Sequence, residues 1–414
     1  MRMKFNKPSQ LALVAVASLL VATMLTACET LTVDFVFVTS AQAAGPNNYG
    51  VIDVFEINSE SGQMRQIPTS PFPSGGRNPV AEALTSDNTN LFVVNKDDNT
   101  IVQFIIVNDG KVYAQNTTNT PGIFPMAVAV SGSNLFVVDT YQPLPTCSPA
   151  APCSGSIGAF PISTATTGHP PSQYLDAPIA NGDLNYWPLN LPGKPNDVIV
   201  PTSINVLTSG SFLYVSAYDA SVTPNVGYVF GFANNSGALT PLNGGVPFFA
   251  GTHPSGIASD ASSTYLYVTD SANSNVLGYA VSSGMLTPLA GSPYKAGGSP
   301  SSVVVDPTYP FAYVANAQDS SVTEYSMSNG VLTSLGTMAT GLQPVAIGID
   351  PSTNHFLYTV NFLGNSVDGT ISGFELNTTS GALLVSQSSP YKANPLPTAV
   401  VAIPHKGTGA GITK

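Results

Sequence analysis

The feature that most constrains the fold is a strand pattern that recurs seven times along the chain. In each copy an apolar strand, a few turn residues and a second strand follow one another, and the second strand ends near Asn, Asp or a small residue. The second-strand copies are FVFVTS from Phe35, LFVVN from Leu91, LFVVD from Leu135, LYVSA from Leu213, LYVTD from Leu266, AYVAN from Ala312 and LYTVN from Leu357. The strand before each starts near a proline, at Pro79, Pro125, Pro201, Pro254, Pro300, Pro344 and Pro397, with intervals of 46, 76, 53, 46, 44 and 53 residues. Short strands repeated at this period are typical of a β-propeller with one four-stranded blade per repeat.

The two ends of the repeat complement each other and predict how the ring closes. The first copy has a second strand at Phe35 but no first strand before it, whereas the last copy, from Pro395, is a first strand with nothing after it. We expect the C-terminal strand near Thr398–Ile403 to complete blade 1 as its innermost strand, because closure removes exposed sheet edges. The sequence therefore predicts an all-β, seven-bladed propeller over residues 28–404, with a flexible C-terminal tail over 405–414.

Glycine-containing dipeptides mark hairpin turns between the third and fourth strands of the copies, where a positive φ is required. They are Ser61-Gly62, Asp109-Gly110, Ser236-Gly237, Ser283-Gly284, Asn329-Gly330 and Ser380-Gly381. Charged residues make up only 8% of the chain, and the hydrophobic fraction of 43% argues against disorder despite 37 Gly and 35 Pro. This composition favours a rigid, exported, single-domain protein.

The N-terminus has the layout of a bacterial export signal. Arg2, Lys4 and Lys7 form a basic start, the apolar run Leu11–Leu25 follows, and a Leu-Thr-Ala-Cys sequence ends at Cys28. This sequence resembles the lipobox, in which the cysteine becomes the lipidated first residue of the mature protein. We therefore predict a signal peptide over residues 1–27 and a lipoprotein of the periplasm or the cell surface, held to the membrane through its lipid alone.

Cleavage further on, at Ala41-Gln42-Ala43, is the alternative to the lipobox. That site lies far from the apolar run, and its use would delete the second strand of blade 1. An unmodified N-terminus at Ala44 would identify this alternative.

The cysteines fit an exported chain. With Cys28 assigned to lipid, Cys147 and Cys153 remain, and they lie in a Pro-rich loop. We expect them to form a local disulfide. A metal pair is the alternative, but no His, Asp or Glu lies between Tyr141 and Gly168. No metal or other cofactor is predicted.

Charge narrows the range of partners. Removal of the signal peptide takes away three basic residues and no acidic ones, and it changes the formal net charge from −11 to −14. An acidic chain with few Lys and Arg residues argues against nucleic acid and other polyanionic ligands. A monomer that binds a protein or a glycan remains compatible with this charge.

The interval that departs most from the repeat, between Pro125 and Pro201, indicates where a binding site lies. It holds two insertions, Tyr141–Gly155 and Ala177–Asn196, which we expect side by side on the face around the channel mouth. Tyr141, Tyr186 and Trp187, the only tryptophan, are the predicted binding residues, because aromatic side chains anchor partners. The alternative for Trp187 is that it packs the insertion against the blade.

Polar residues that end the second strands form a second candidate set. It comprises Asn95, Asp139, Asp270, Asn316 and Asn361. These side chains could surround the mouth and bind a cation or a polar ligand. The favoured interpretation is structural, because Asn and Asp side chains bond to nearby backbone and cap the following turn.

His253 is the weak candidate for catalysis. It lies directly before the first strand of a blade, and Asp270 or Asp219 are its conceivable carboxylate partners, although no spacing requires such a pair. The chain contains no nucleophile elbow, phosphate loop or zincin motif.

The blades resemble the YVTN-type propellers of the lactonase family, which includes 6-phosphogluconolactonase. The resemblance rests on the segments YLYVTDSANSNV from Tyr265 and GMLTPLAGSPY from Gly284, and it covers about residues 31–404. It implies a seven-bladed propeller. It does not by itself imply an activity, because such repeats also occur in non-enzymatic surface proteins.

The resemblance also implies which residues a lactonase would need. An Arg-His pair is expected directly after the proline that opens one first strand, with a Glu in a nearby loop. Here Ser301 and Ser302 stand at the Arg-His positions, and Ala317 stands at the Glu position. Lactone opening needs an electrophile for the carbonyl oxygen and a base for water, and the matched positions supply neither. We therefore expect a non-catalytic binding scaffold that uses the loop-rich face at blade 3, with a sugar-lactone hydrolase as the alternative.

Overall fold

The computed structural model describes residues 33–44, 47–58, 61–164, 173–350, 356–364 and 368–403. The predicted signal peptide, Cys28 and the C-terminal tail lie outside these residues. Within them the chain forms antiparallel strands, together with two single-turn 3-10 helices at Lys96–Asp98 and Asn243–Gly245. In the described part of the chain, no helix has the length and apolar character needed to cross a membrane.

The strands form seven sheets, each a blade. From the inside outward, the strands of each blade are as follows. Blade 1 contains β33 (Pro397–Ile403), β1 (Val33–Ala44), β2 (Tyr49–Asn58), β3 (Met64–Gln66) and β4 (Phe72–Pro73). Blade 2 contains β5 (Pro79–Leu84), β6 (Asn90–Asn95), β7 (Thr100–Ile106) and β8 (Val112–Asn119). Blade 3 contains β9 (Ile123–Ser131), β10 (Asn134–Tyr141), β11 (Ser156–Thr164), β12 (Gln173–Leu175) and β13 (Trp187–Pro188).

The remaining four blades repeat this order. Blade 4 contains β14 (Ile199–Val206), β15 (Phe212–Asp219), β16 (Val226–Asn235), β17 (Ala238–Pro241) and β18 (Phe248–Phe249). Blade 5 contains β19 (Pro254–Ser259), β20 (Tyr265–Asp270), β21 (Asn275–Ser282), β22 (Met285–Pro288) and β23 (Tyr294–Lys295). Blade 6 contains β24 (Pro300–Val305), β25 (Phe311–Asn316), β26 (Ser321–Ser328) and β27 (Val331–Ala339). Blade 7 contains β28 (Leu342–Ile349), β29 (Phe356–Gly364), β30 (Gly369–Leu376), β31 (Leu383–Val385) and β32 (Tyr391–Ala393).

The predicted closure is confirmed. Strand β33 pairs antiparallel with β1, with Phe35 opposite Ile403 and Thr39 opposite Ala399. Each innermost strand also contacts the innermost strand of the next blade, in the cyclic order β33, β5, β9, β14, β19, β24, β28 and back to β33. The last strand of the chain therefore completes the first blade and closes the ring.

The core lies between the blades. The second strand of each blade is almost wholly buried, because both of its faces pack on neighbouring blades, as in β6 and β25. The apolar clusters reflect this arrangement: Tyr267 of blade 5, for example, packs among Val303, Ala312 and Val314 of blade 6. Dry, close-packed interfaces of this kind make the ring a rigid support for its loops.

The order of the strands gives the propeller two opposite faces, which we call the mouth face and the underside. The mouth face carries the loops from an outermost strand to the next innermost strand, and from the second strand to the third, including residues 142–155, 251–253 and 271–274. The underside carries the other turns, including residues 107–111, 207–211 and 260–264. The predicted hairpin turns lie on the underside, and their glycines adopt the expected positive φ, as at Gly284 (81°) and Gly330 (79°).

The insertion Ala177–Asn196 differs in part from its predicted position. Its middle lies on the outer edge of blade 3: the Ile179 amide donates to the Ala159 carbonyl at 2.8 Å, and β13 pairs with β11. The prediction placed the whole segment on the mouth face because it treated the segment as a loop between an outermost strand and the next innermost strand. Blade 3 instead builds its outer strand from two pieces, β12 and β13, and part of the insertion joins them.

Candidate functional site

A row of aromatic rings from three consecutive blades lies on the mouth face. Phe124 and Tyr141 of blade 3 pack edge to face with ring centroids 6.1 Å apart. Tyr218 of blade 4 stacks on His253 of blade 5 with centroids 4.1 Å apart and planes at 30°. Tyr141 lies near enough to Tyr218 to add to the raised pKa of that phenol, which places the two pairs beside each other. We call these four residues the aromatic arc. All four are half-buried, so each ring is held in place yet keeps an accessible surface.

The positions of these rings follow from their places in the blades. Tyr141 ends β10 and Tyr218 lies next to the end of β15, so both second strands deliver a tyrosine to the mouth. Phe124 and His253 each precede the proline that opens an innermost strand. Burial raises the pKa of Tyr218, and the nearby Tyr141 adds to the shift. The Tyr218 phenol is therefore a neutral hydrogen-bonding group at physiological pH.

Asp270 holds the loop that presents His253. One of its oxygens accepts the backbone amide of Thr252 at 2.8 Å, and the other accepts the amide of His253 at 3.0 Å. The side chain of Asn273 and the amide of Ala272 also donate to this buried carboxylate. Sequence reasoning considered Asp270 as a catalytic partner of the histidine. Asp270 does contact His253, but its carboxylate accepts the backbone amide of His253 and does not contact the imidazole. Both carboxylate oxygens accept hydrogen bonds from residues of the surrounding loops.

The ring of His253 has a neutral partner. Its Nδ1 lies 3.2 Å from the hydroxyl oxygen of Ser271, whose hydroxyl also contacts the His253 carbonyl at 3.0 Å. A depression of about 460 Å³ opens beside this pair and is open to solvent on one side. Its lining consists of Thr223, Pro224, Asn225, Thr252, His253, Ser271 and Ala272. The lining thus combines hydroxyl, amide and imidazole groups with the apolar side chains of Pro224 and Ala272, and it contains no Asp, Glu, Lys or Arg.

Asp219, the other conceivable partner of His253, also bonds to a backbone amide. It is fully buried at the end of β15, and one of its oxygens accepts the Ser221 amide at 2.8 Å. Its Oδ2 has no hydrogen-bond partner among the described residues. No contact joins it to the ring of His253 in the part of the chain that the structure describes.

Three of the other residues that end second strands bond to neighbouring backbone and strands, whereas the side-chain oxygen and nitrogen of the fourth, Asn95, have no hydrogen-bond partner among the described residues. Asp139 accepts the Gly122 amide at 3.0 Å and Asn316 accepts the Gly297 amide at 3.1 Å, so each holds the loop that enters its own blade. Asn361 donates to Thr370 and Ser372 on the adjacent strand. The structural interpretation is therefore supported, although most of these bonds reach the entering loop or the next strand rather than the following turn. No group of three or more metal-ligating side chains occurs among the described residues.

Asp139, near the end of β10, has a raised pKa. Burial raises its pKa to about 7, against the opposing effect of hydrogen bonds from Thr120 and Gly122. Its Oδ1 has no hydrogen-bond partner among the described residues. The buried carboxyl below Tyr141 is thus partly protonated near neutral pH.

Tyr186 and Trp187 take no part in the accessible surface of the site. They are 5% and 4% exposed, and the indole nitrogen of Trp187 donates to the Leu239 carbonyl at 2.8 Å. Trp187 packs in the apolar cluster between blades 3 and 4. Of the two interpretations of Trp187, packing of the insertion therefore describes its position. In this structure neither side chain presents more than a small part of its surface to a partner.

The two insertions of blade 3 lie against each other, as predicted. The Gln142 side-chain amide donates to the Asn190 side-chain oxygen at 3.3 Å, and the Leu189 amide donates to the Gly155 carbonyl at 2.9 Å. Cys147 and Cys153 form the expected disulfide. The loop that follows Tyr141 is therefore held both by its own disulfide and by contacts with the second insertion.

Both arginines outside the predicted signal peptide are held in ion pairs. Arg65 pairs with Glu56 on the outer side of blade 1. Arg77, on the mouth face of blade 2, donates to Asp98 through Nε at 2.7 Å and to the Asp97 carbonyl through Nη2 at 3.2 Å. Neither guanidinium reaches the aromatic arc through a described contact.

Ser301, at the first of the two positions where the resemblance implies an Arg-His pair, has a structural role here. The hydroxyl of Ser301 donates to the Pro344 carbonyl at 2.7 Å and so joins blade 6 to blade 7. Equivalent bonds run from Ser255 to the Pro300 carbonyl at 2.6 Å and from Thr398 to the Pro79 carbonyl at 2.9 Å. Ser301 thus belongs to a repeated contact between blades.

Comparison with known proteins agrees with this geometry. Residues 227–402 match the family model described as lactonase, 7-bladed beta-propeller. The fold is that of the lactonase-type propellers. A putative 6-phosphogluconolactonase from Bacteroides fragilis superposes on this lactonase-type propeller with a TM-score of 0.67 and 18% identity, covering 90% of this chain and 99% of that one. The periplasmic gluconolactonase of Pseudomonas aeruginosa gives a TM-score of 0.66 at 15% identity and covers 90% and 100%. No curated protein sequence matches the lactonase-type propeller described here.

Sequence reasoning found part of the aromatic arc. Tyr141 and His253 were candidates, for different reasons, but Phe124 and Tyr218 were not. The sequence did contain a sign of Tyr218. The second strand of blade 4 reads LYVSAYD, which places a tyrosine directly before the aspartate that ends the strand. Nothing in the linear sequence shows that this ring stacks on one 35 residues away.

Proposed function

We propose that the protein is an exported, lipid-anchored propeller that binds a neutral ligand on its mouth face without hydrolysing it. The single observation that carries this proposal is the aromatic arc of Phe124, Tyr141, Tyr218 and His253. Rigid, half-exposed rings beside a depression lined by hydroxyl and amide groups suit a polar ligand with an apolar face, such as a sugar ring of a glycan. The absence of charged side chains from the lining argues for a neutral ligand.

The lipid anchor is part of the same proposal. The lipobox at Cys28 supports it, and the disulfide between Cys147 and Cys153 suits an oxidising compartment outside the cytoplasm. Mass spectrometry of the mature protein tests it directly. A diacylglycerol-modified Cys28 is expected, and an unmodified N-terminus at Ala44 would contradict it.

Binding is tested with a panel of neutral oligosaccharides of glucose, mannose and N-acetylglucosamine, measured by isothermal titration calorimetry. We expect binding of at least one member, and we expect Tyr141→Ala and Tyr218→Ala each to weaken it at least tenfold, because burying an aromatic side chain against a ligand contributes about 1.5–3 kcal/mol and a tenfold change in Kd corresponds to about 1.4 kcal/mol. Tyr113→Ala is the matched control, because Tyr113 is 52% exposed on the outer strand of blade 2. A panel without a binder, or equal losses in all three variants, would contradict the proposal.

Lactone hydrolysis is the second candidate, and the match to the lactonase family model favours it. His253 beside Ser271 is the acid–base group nearest the depression, but its ring has a hydroxyl partner rather than a carboxylate. We expect glucono-1,5-lactone and 6-phosphogluconolactone to hydrolyse no faster than in buffer. Turnover that His253→Ala abolishes, with Tyr113→Ala unaffected, would establish the lactonase instead.

A further inference from the structure

The chain enters the propeller from the underside. Strand β1 begins at Val33, which lies opposite Asn58, the residue that ends β2 before an underside turn. Two residues later, Phe35 lies opposite Ile403, the last residue of the closing strand β33. The start of β1 is therefore at the underside edge of blade 1, and β1 runs from there toward the mouth.

Distance decides which face can approach an anchored N-terminus. From Cys28 to Val33 the chain advances five residues, which span at most about 18 Å when fully extended. Strand β1 has 12 residues, so its far end lies roughly 36 Å from its start at about 3.3 Å per residue. A lipid on Cys28 therefore holds the underside near the bilayer. The reach from Cys28 to Val33 is about half the length of β1, so it is too short to bring the mouth to the same surface.

The turns of the underside suit close approach to a bilayer. Those that the structure describes are short and consist mainly of Ser, Thr, Asn and Gly. Among them, Asp87 and the ion pair of Asp109 with Lys111 carry the exposed charges at the turn tips. The carboxylates of Asp260 and Asp306 are buried and accept amides of their own turns. A surface poor in exposed acids is the one on which an acidic protein is repelled least by anionic lipids.

The mouth face has the opposite character. It carries the disulfide-braced loop 142–155 and several exposed charges, among them Arg77, Asp97 and Asp319. Long loops on that side would hold the ring away from a flat surface, whereas the short turns of the underside would not.

We propose that the underside is the membrane-facing surface of this protein and docks against phospholipid headgroups, so that the aromatic arc faces away from the bilayer. This orientation rests on the proposed lipid attachment at Cys28. It leaves the arc open to ligands that arrive from the side opposite the membrane.

Two single-cysteine labels on the same blade test the orientation. Ser209→Cys places a bimane on an exposed underside turn of blade 4, and Ala220→Cys places one on an exposed mouth residue of that blade. The lipidated full-length chain, with its native disulfide intact, is reconstituted in phosphatidylcholine vesicles that contain a lipid spin-labelled on its headgroup. We expect at least twofold stronger quenching at position 209 than at position 220. Equal quenching, or stronger quenching at 220, would overturn the orientation.

A third variant separates the orientation from the anchor. In the Cys28→Ser background neither label should be quenched, because the protein no longer resides on the vesicle. If mass spectrometry finds no lipid on the wild-type chain, both the anchor and the orientation are overturned. If the lipid is present and the label at 220 is quenched more strongly, only the orientation fails.

Discussion

The phenolic hydroxyl of Tyr267 donates a hydrogen bond to the carbonyl oxygen of Gly330 at 2.7 Å, from the second strand of blade 5 to an underside turn of blade 6. Tyr214 makes the same bond to Gly284 at 2.9 Å, and Tyr313 makes it to Gly381 at 2.9 Å. The tyrosine of the repeat thus joins each of these blades to the next one. The tyrosine recurs at this position of the repeat because it makes the same contact between blades each time.

Replacement of Tyr267 by Phe should lower the free energy of unfolding by about 1–2 kcal/mol, because the buried carbonyl of Gly330 loses its partner. The ring itself should fit, since Phe37, Phe92 and Phe136 occupy this position in blades 1–3. Urea denaturation measures the change. Tyr358→Phe is the matched control: the hydroxyl at this position of blade 7 has no hydrogen-bond partner among the described residues, so its removal should cost nothing. Equal losses in both variants would contradict the role of the bond.

Replacement of Glu82 by Val should stabilise the protein at neutral pH. Glu82 lies on the innermost strand of blade 2, where the other six blades have Val128, Ile204, Ile257, Val303, Ile347 and Val400. It is 8% exposed, and neither carboxyl oxygen has a hydrogen-bond partner among the described residues. Burial raises its pKa well above the ordinary value, against a smaller opposing contribution from the Val401 backbone. The ionised form is therefore unfavourable in the folded state.

The sign of this pH effect follows from the raised pKa. The folded state binds the proton more tightly than the unfolded state, so the contribution of Glu82 to stability is fully present below about pH 4.5 and is lost as the pH rises through the raised pKa. Each unit of the shift corresponds to about 1.4 kcal/mol. We expect the gain from Glu82→Val in urea denaturation to be larger at pH 8 than at pH 4.5. A gain that does not change with pH would show that side-chain packing, rather than charge, is its cause.

Replacement of Asp270 by Ala should cost about 3 kcal/mol in unfolding free energy, because the amides of Thr252 and His253 lose a charged, buried acceptor. It should also weaken ligand binding, since the loop that presents His253 is no longer held. Urea denaturation and calorimetric titration measure the two effects. The control is Asp319→Ala, because Asp319 is exposed and accepts the single amide of Gly298. A loss no greater than that of the control would contradict the role assigned to Asp270.

Loss of the disulfide in a Cys147→Ser, Cys153→Ser double variant should lower the free energy of unfolding by about 2 kcal/mol, as the loop-entropy model gives for a loop of this length. Treatment of the wild-type protein with dithiothreitol should reproduce the shift, whereas the double variant should not respond. A double variant as stable as the oxidised protein would show that the contacts of Gln142 and Gly155 are enough to hold the loop.

The repeat and its closure could be predicted from sequence because both are local patterns. Strand alternation and a turn dipeptide such as Asn329-Gly330 report the conformation of a few adjacent residues, and such turn dipeptides recur in six of the seven blades. The unpaired strand at each end of the chain then implies its partner, and the pairing of β33 with β1 confirms it. The disulfide followed in the same way, from two cysteines six residues apart.

The sequence by itself determined the number of blades, the paired first and second strands of each blade and the closing strand, since these depend on short-range patterns and on counting. It did not show that the outer strand is divided into two pieces in five of the blades. The tertiary structure decided which aromatic residues are accessible. Trp187 is the most conspicuous aromatic residue in the sequence, yet it is buried against Leu239, while Tyr218 forms part of the site. The physical reason is that the arc joins loops from three blades, and its members come together only when the packing of one blade on the next brings the ends of their strands to a common mouth.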